Sequence, residues 1–194
     1  EIVAEFLPRV LSLATAASGR HAQREDTRLK LACVWYILRV GVGQHLSEAG
    51  QELFANALVA EATARKAQPN MHIACSSALQ ELTSTLVALG GSFQTTDAAR
   101  DTILAFLHSP FLPLRLTAAT CLRSFAASAP EQLTAVIRRC VTAIHAQNEL
   151  APTEASSNAL QGVTSCVASA MMAAPAGTLG LPVALLDECM SLAN

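Results

Sequence analysis

The stretch PLRLTAATCLR at residues 113–123 decides the fold class of this chain. Its apolar residues recur at steps of three and four, as they do on one face of an α-helix. Proline at its first position fits the first helical turn, where a missing N–H is harmless. The earlier stretch TRLKLAC at residues 27–33 aligns with residues 114–120, so that Arg28 matches Arg115. This correspondence predicts that the chain is built from equivalent helical units.

The same periodicity continues through nearly all of the 194 residues, and 37 alanines and 27 leucines favour helix throughout. Prolines, glycines and capping residues such as Ser47 and Thr153 divide the chain into nine predicted helices. These cover about residues 2–18, 25–42, 47–67, 70–89, 95–108, 112–128, 131–148, 153–174 and a last segment that begins after Pro182. We therefore predict a helix content above about 70% and no sheet.

The predicted helices group into pairs at about residues 2–43, 47–90, 95–128 and 131–174, with a truncated pair from 181. Repeated pairs of about 35 to 45 residues are typical of a right-handed α-solenoid of HEAT (armadillo-like) helical pairs. A compact helical bundle is the alternative, because short loops fit both architectures. The turn or proline inside each pair favours the solenoid. We expect residues 1–194 to form a single solenoid segment, taken from a longer chain.

Residues 109–140 carry a more specific pattern, which consists of Ser109-Pro110, the stretch 113–123, the hexapeptide APEQLT at 129–134 and Arg139-Cys140. This combination resembles the large HEAT-repeat-containing protein five family, which with its fungal counterparts accompanies a clathrin adaptor complex. Residues 78–82 and the small-residue-rich helix 155–172 are similar to the same family. The resemblance covers about residues 78–174.

The resemblance implies a non-enzymatic scaffold for clathrin-adaptor-dependent vesicle traffic between the trans-Golgi network and endosomes. It implies a cytoplasmic protein held peripherally at Golgi and endosome membranes. Its partners would be small adaptor-associated accessory proteins, such as aftiphilin and gamma-synergin, together with neighbouring repeats of the same chain. The resemblance assigns no protein-binding residue to this segment.

Other HEAT lineages are the alternative: a karyopherin-like transport carrier, a phosphatase scaffold or a tubulin-binding array. A karyopherin would be strongly acidic, whereas the net charge here is −2. A tubulin binder would carry Trp and Lys in the turns within each pair, and these turns contain neither residue. The turns lie at residues 19–24, 68–69, 109–110 and 148–152.

Composition argues against several further classes of protein. Without a block of basic residues, the chain has no electrostatic footprint for nucleic acid. No run of about 18 apolar residues exists, so direct membrane insertion is not expected. The glycines at 41–43 and 177–180 lack the pattern of a phosphate-binding loop, and no cofactor is expected.

Cysteines and histidines offer no recognisable site. The six cysteines have no spacing typical of zinc ligands, and we expect them to be reduced and buried in the core. The five histidines are expected at the surface or at helix ends. No catalytic, cofactor-binding or metal-binding residue is predicted, and we expect no enzyme.

Four positions have predicted structural roles. Arg28 and Arg115 should support packing between repeats, with the guanidinium bound to a carbonyl or carboxylate; contact with a partner protein is the alternative for both. Leu122, which matches Leu79 and Trp35 in register, should be a core residue. Ser109 precedes proline and is expected to form a turn, although it could also be phosphorylated.

Overall fold

The computed structural model describes residues 37–64, 69–88, 97–128, 130–149, 151–173 and 181–191, together with scattered positions between 5 and 36. Most of the described residues lie in helices, and none of them lies in a β-strand. The prediction of an all-α chain is therefore confirmed. Contacts between Cα atoms divide the chain into two compact units, Glu1–Phe93 and Gln94–Asn194.

The first unit is built on three described elements: a π-helix at Ile37–Val42, α1 at Glu48–Ala64 and α2 at Pro69–Ala88. Helices α1 and α2 pack against each other, and both contact the π-helix. Their shared core contains fully buried large side chains, namely Leu38, Phe54, Leu58, Leu79 and Leu82. An ion pair between Arg39 and Glu81 also ties the π-helix to α2.

The end of the π-helix is closed by one side chain from the next helix. Gln51 is 8% exposed, and its Nε2 donates hydrogen bonds to the carbonyls of Val42, Gly43 and Leu46 at 3.3, 3.0 and 3.1 Å. The last carbonyls of a helix have no partner inside the helix, so they need donors from elsewhere. Gln51 supplies these donors and fixes the connection between the π-helix and α1.

The second unit contains α3 at Asp97–Phe106, α4 at Leu112–Ser128, α5 at Pro130–Asn148, α6 at Glu154–Met171 and α7 at Val183–Ser191. The most extensive contacts join α6 to α4 and α6 to α5. Helix α4 also packs against α3 and α5, and α7 packs against α5. The core between them is formed by large buried side chains, namely Ile103, Leu107, Leu114, Leu122, Phe125, Ile137 and Leu185.

Gly162 allows the closest approach in the second unit. A Cβ at this position of α6 would lie 1.9 Å from the carbonyl oxygen of Leu107, at the end of α3. Real Cβ atoms essentially never come within 3.0 Å of such a neighbour. Glycine is therefore the only residue that lets α6 pack directly against this backbone segment.

Most predicted helix bounds agree with the structure to within a few residues. The caps predicted at Ser47 and Thr153 are present: the Ser47 hydroxyl accepts from the Gly50 N–H, and the Thr153 hydroxyl accepts from the Ser156 N–H. The Ser156 hydroxyl in turn accepts from the Thr153 N–H, which completes a capping box. The α-helix predicted through Val42 is wrong in its last turn, where the hydrogen bonds are π-helical.

Candidate functional site

Among the described side chains of the second unit, Arg115 is the most buried charged one, and it bridges α4, α6 and the turn between α3 and α4. It lies in the second turn of α4 and is 3% exposed. Its Nη1 donates a hydrogen bond of 2.7 Å to the carbonyl of Ser109, in the turn between α3 and α4. Its Nη2 donates to the side-chain oxygen of Gln161 on α6. The predicted bond from the Arg115 guanidinium to a carbonyl is present, the role in packing between repeats stays a prediction, and Arg28 lies outside the described residues.

The carbonyl and the hydroxyl of Ser109 both accept hydrogen bonds at the turn in which the residue lies. Its carbonyl binds Arg115, and its hydroxyl accepts a 3.2 Å hydrogen bond from the N–H of Phe111. Serine hydroxyls commonly stabilise turns in this way. The turn predicted from Ser-Pro is therefore present, while phosphorylation of Ser109 stays a prediction.

A cavity of about 290 Å³ opens beside this turn, between α3 and α5; we call it the α3–α5 cavity. Its wall consists of residues from α3, the following turn, α5 and α6, namely Asp101, Leu104, Ala105, Leu107, His108, Arg139, Cys140, Ala143 and Val163. Asp101, Ala105, His108 and Arg139 are exposed at its rim. Leu107, Cys140 and Val163 are buried at its floor. The volume is near the lower limit for small-molecule sites.

Charges at the rim are arranged around one carboxylate. Asp101 accepts a 2.6 Å hydrogen bond from Arg139 and lies 3.7 Å from the Nε of Arg100. The guanidinium groups of Arg139 and Arg100 therefore both lie beside the Asp101 carboxylate. His108 lies on the same rim.

The thiols of Cys140 on α5 and Cys166 on α6 influence each other's titration. Interaction with Cys166, together with the nearby Arg139, lowers the pKa of Cys140, although burial opposes the shift. Interaction with Cys140 and burial both raise the pKa of Cys166.

The prediction that all six cysteines are core residues needs correction. All six are free, and four are buried: Cys75, Cys121, Cys140 and Cys166. Cys33 is exposed and Cys189 is half-buried. Cys33 shares an exposed helix face with Leu29, Ala32 and Tyr36, so apolar character did not predict burial there. Ala32 is exposed on this face, whereas the small residues Ser76 and Ala119 are buried.

Other predicted positions divide into core and surface. Leu122 and Leu79 are both buried, so their assignment to the core is confirmed, while Trp35 lies outside the described residues. His45, His108 and His145 are exposed, as predicted for surface histidines. Within the described part of the chain, no group of three His, Cys, Asp or Glu side chains is placed to hold a metal ion. A search of the same residues finds no helix that is long and apolar enough to span a membrane.

The α3–α5 cavity and the thiol pair were not predicted from the sequence. Cys140 and Cys166 are 26 residues apart and show no metal-ligand spacing. The only local signal in the sequence is the basic pair Arg138-Arg139 beside Cys140. The interaction between the two thiols depends on the packing of α6 against α5.

Comparison with known proteins finds a distant, partial similarity to a large plant protein. The chain is 33% identical over 163 residues to Protein SWEETIE from Arabidopsis thaliana, and the match covers 80% of this chain. It covers 7% of the plant protein, so the chain spans only a small part of the length of this relative. No family model matches the chain, and no solved structure matches it.

Proposed function

We propose that this chain is a segment of a HEAT-repeat α-solenoid and acts as a non-enzymatic scaffold for protein–protein interactions. The observation that carries this proposal is the order of helix contacts in the second unit. Helix α6 contacts α5, its predicted partner within the pair, and α4, the equivalent helix of the preceding pair. Helix α7 likewise contacts α5, the first helix of the preceding pair. Stacking of equivalent helices is what a solenoid produces.

Contacts in the first unit are consistent with the same proposal. Helix α2 contacts α1, its partner in the pair, and the π-helix, which ends the second helix of the preceding pair. In the second unit, the hydrogen bond from Arg115 to Gln161 joins the second helices of consecutive pairs. Such bonds fix the register between repeats.

Small-angle X-ray scattering tests the architecture directly. A compact globule of 194 residues has a radius of gyration of about 16 Å. A solenoid of four to five pairs should give a clearly larger value and an elongated distance distribution. Size-exclusion chromatography in line with the scattering cell ensures that only the monomer is measured. A value of about 16 Å would favour the compact bundle and overturn the solenoid.

For the cellular role, we propose a scaffold in clathrin-adaptor-dependent traffic between the trans-Golgi network and endosomes. This proposal rests on the resemblance of residues 78–174 to the HEAT-repeat-containing protein five family, and it places the protein in the cytoplasm at Golgi and endosome membranes. Its partners would be adaptor-associated accessory proteins and neighbouring repeats.

Crosslinking tests the cellular role. The tagged chain is expressed in cells, crosslinked, purified and analysed by mass spectrometry. Crosslinks to adaptor-associated accessory proteins would support the proposal. Crosslinks confined to repeats of the same protein, or directed to another set of partners such as tubulin, would overturn it for this segment. A Leu122→Asp chain, in which a buried core residue is charged, controls for capture that does not depend on the fold.

A further inference from the structure

We propose that Cys140 and Cys166 form a redox-sensitive thiol pair, in which a hydroperoxide entering the α3–α5 cavity drives formation of a disulfide between α5 and α6. The proposal goes beyond the scaffold function and does not depend on it. It rests on three observations: the two thiols interact where α6 packs against α5, Cys140 forms part of the cavity floor, and the guanidinium groups of Arg139 and Arg100 lie beside the Asp101 carboxylate.

Access distinguishes Cys140 from the other buried cysteines. Cys140 is 1% exposed, yet it lines a cavity whose volume of about 290 Å³ is ample for hydrogen peroxide or a small organic hydroperoxide. Cys121, on α4, is fully buried and does not line this cavity, and its burial raises its pKa. A reagent in the cavity therefore meets one thiol, whose pKa is also lowered.

Electrostatics support reaction at Cys140 rather than at Cys166. A thiolate, not a thiol, is the nucleophile toward a peroxide. Interaction with Cys166 lowers the pKa of Cys140, and Arg139, which precedes it, also favours its negative charge. Asp101 would oppose a thiolate, but this carboxylate is already paired with Arg139 and Arg100.

The chemistry proceeds in two balanced steps. The thiolate of Cys140 attacks one oxygen of the hydroperoxide, the O–O bond breaks, and the leaving oxygen takes a proton to give water or an alcohol. Cys140 is now a sulfenic acid. The thiol of Cys166 then attacks this sulfur, a disulfide forms, and the hydroxyl departs with the thiol proton as a second molecule of water. The two sulfurs must close to about 2.05 Å, which rotation of both side chains can provide.

Oxidation of the full chain tests the proposal. A background with Cys33→Ser and Cys189→Ser removes the exposed and half-buried thiols. This protein is treated with hydrogen peroxide, alkylated, digested without reductant and analysed by mass spectrometry. We expect a linked peptide pair containing Cys140 and Cys166. We also expect Cys140 to be alkylated at least about tenfold faster than Cys121 in the reduced protein.

Single substitutions separate the two roles. Cys166→Ser should stop the reaction at a sulfenic acid on Cys140, which dimedone traps, and Cys140→Ser should leave Cys166 reduced at the same dose. Cys121→Ser, which also removes a buried thiol, should leave the linkage intact. The linkage in the background protein needs no change at either position, so it is informative even if a variant misfolds. Absence of the linked pair from folded, oxidised background protein would overturn the proposal, as would equal reactivity of Cys140 and Cys121.

Discussion

Replacing Gly162 by alanine should destabilise the second unit, although alanine is the better helix former. The added Cβ would lie 1.9 Å from the Leu107 carbonyl oxygen and 2.8 Å from its carbon. Because the clashing atoms belong to the backbone, a change of side-chain rotamer cannot relieve the clash. Helix α6 must move until the added Cβ is at least 3.0 Å from the Leu107 carbonyl oxygen. Overpacking of this kind lowers the free energy of unfolding by about 3 kcal/mol, and the higher helix propensity of alanine raises it by about 1 kcal/mol. The net loss should be about 2 kcal/mol.

The matched control is Gly41→Ala in the π-helix. There an added Cβ meets only one side-chain carbon, at 3.9 Å, which is an ordinary contact. Thermal unfolding followed by circular dichroism should give a midpoint about 4 to 8 °C lower for Gly162→Ala, and an unchanged or slightly higher midpoint for Gly41→Ala. Equal midpoints for the two variants would refute the close approach of α6 to Leu107. A Gly162→Ala chain more stable than the parent would refute it more strongly.

Three further substitutions test the core and the buried polar contacts. Leu122→Asp should unfold the chain, because an unpaired carboxylate at a fully buried site lowers the free energy of unfolding by more than about 4 kcal/mol. Leu116→Asp, at an exposed position of the same helix, is the control and should shift the thermal midpoint by no more than about 2 °C. Gln51→Glu should lower the free energy of unfolding in urea by about 3 kcal/mol at pH 7, because a carboxylate would face three carbonyls. This loss should shrink as the pH falls and the new carboxyl is protonated. As a control, Glu52→Gln at an exposed position should change the free energy of unfolding little. Arg115→Lys should lower the free energy of unfolding by about 2 kcal/mol in the same assay, because one ammonium group cannot make both hydrogen bonds of the guanidinium. A decrease of less than about 0.5 kcal/mol would show that these two hydrogen bonds contribute little.

Local sequence signals predicted the helices well because those signals act within one or two turns. The bounds of α4 and the burial of Leu122 followed from the three- and four-residue spacing of apolar side chains. The cap at Thr153 followed from the residue type alone, since its hydroxyl binds an N–H only three residues away. The bond from Arg115 to a carbonyl was predicted correctly, but the second partner of its guanidinium, Gln161, 46 residues away, was not.

Features that depend on contacts between distant elements were missed. Gly162 is an ordinary small residue in the sequence, and its role becomes visible only because Leu107 lies against it. The π-helical turn at residues 37–42 depends partly on a glutamine from the following helix, which closes its end. The effect of Cys166 on the pKa of Cys140 likewise requires the packing of α5 on α6. Sequence periodicity says which face of a helix is buried, but not which helix covers it.

The buried guanidinium of Arg115 has a mechanical consequence. It is bonded at once to the turn that follows α3 and to the helix of the next predicted pair, and it lies where water cannot readily replace either bond. A force applied to the exposed residues Pro110 and Phe111 of this turn is therefore transmitted to α6 through the two hydrogen bonds of Arg115. Under tension, α4 and α6 should therefore unfold together as one mechanical unit. Extension of the chain would then proceed in steps larger than a single helix.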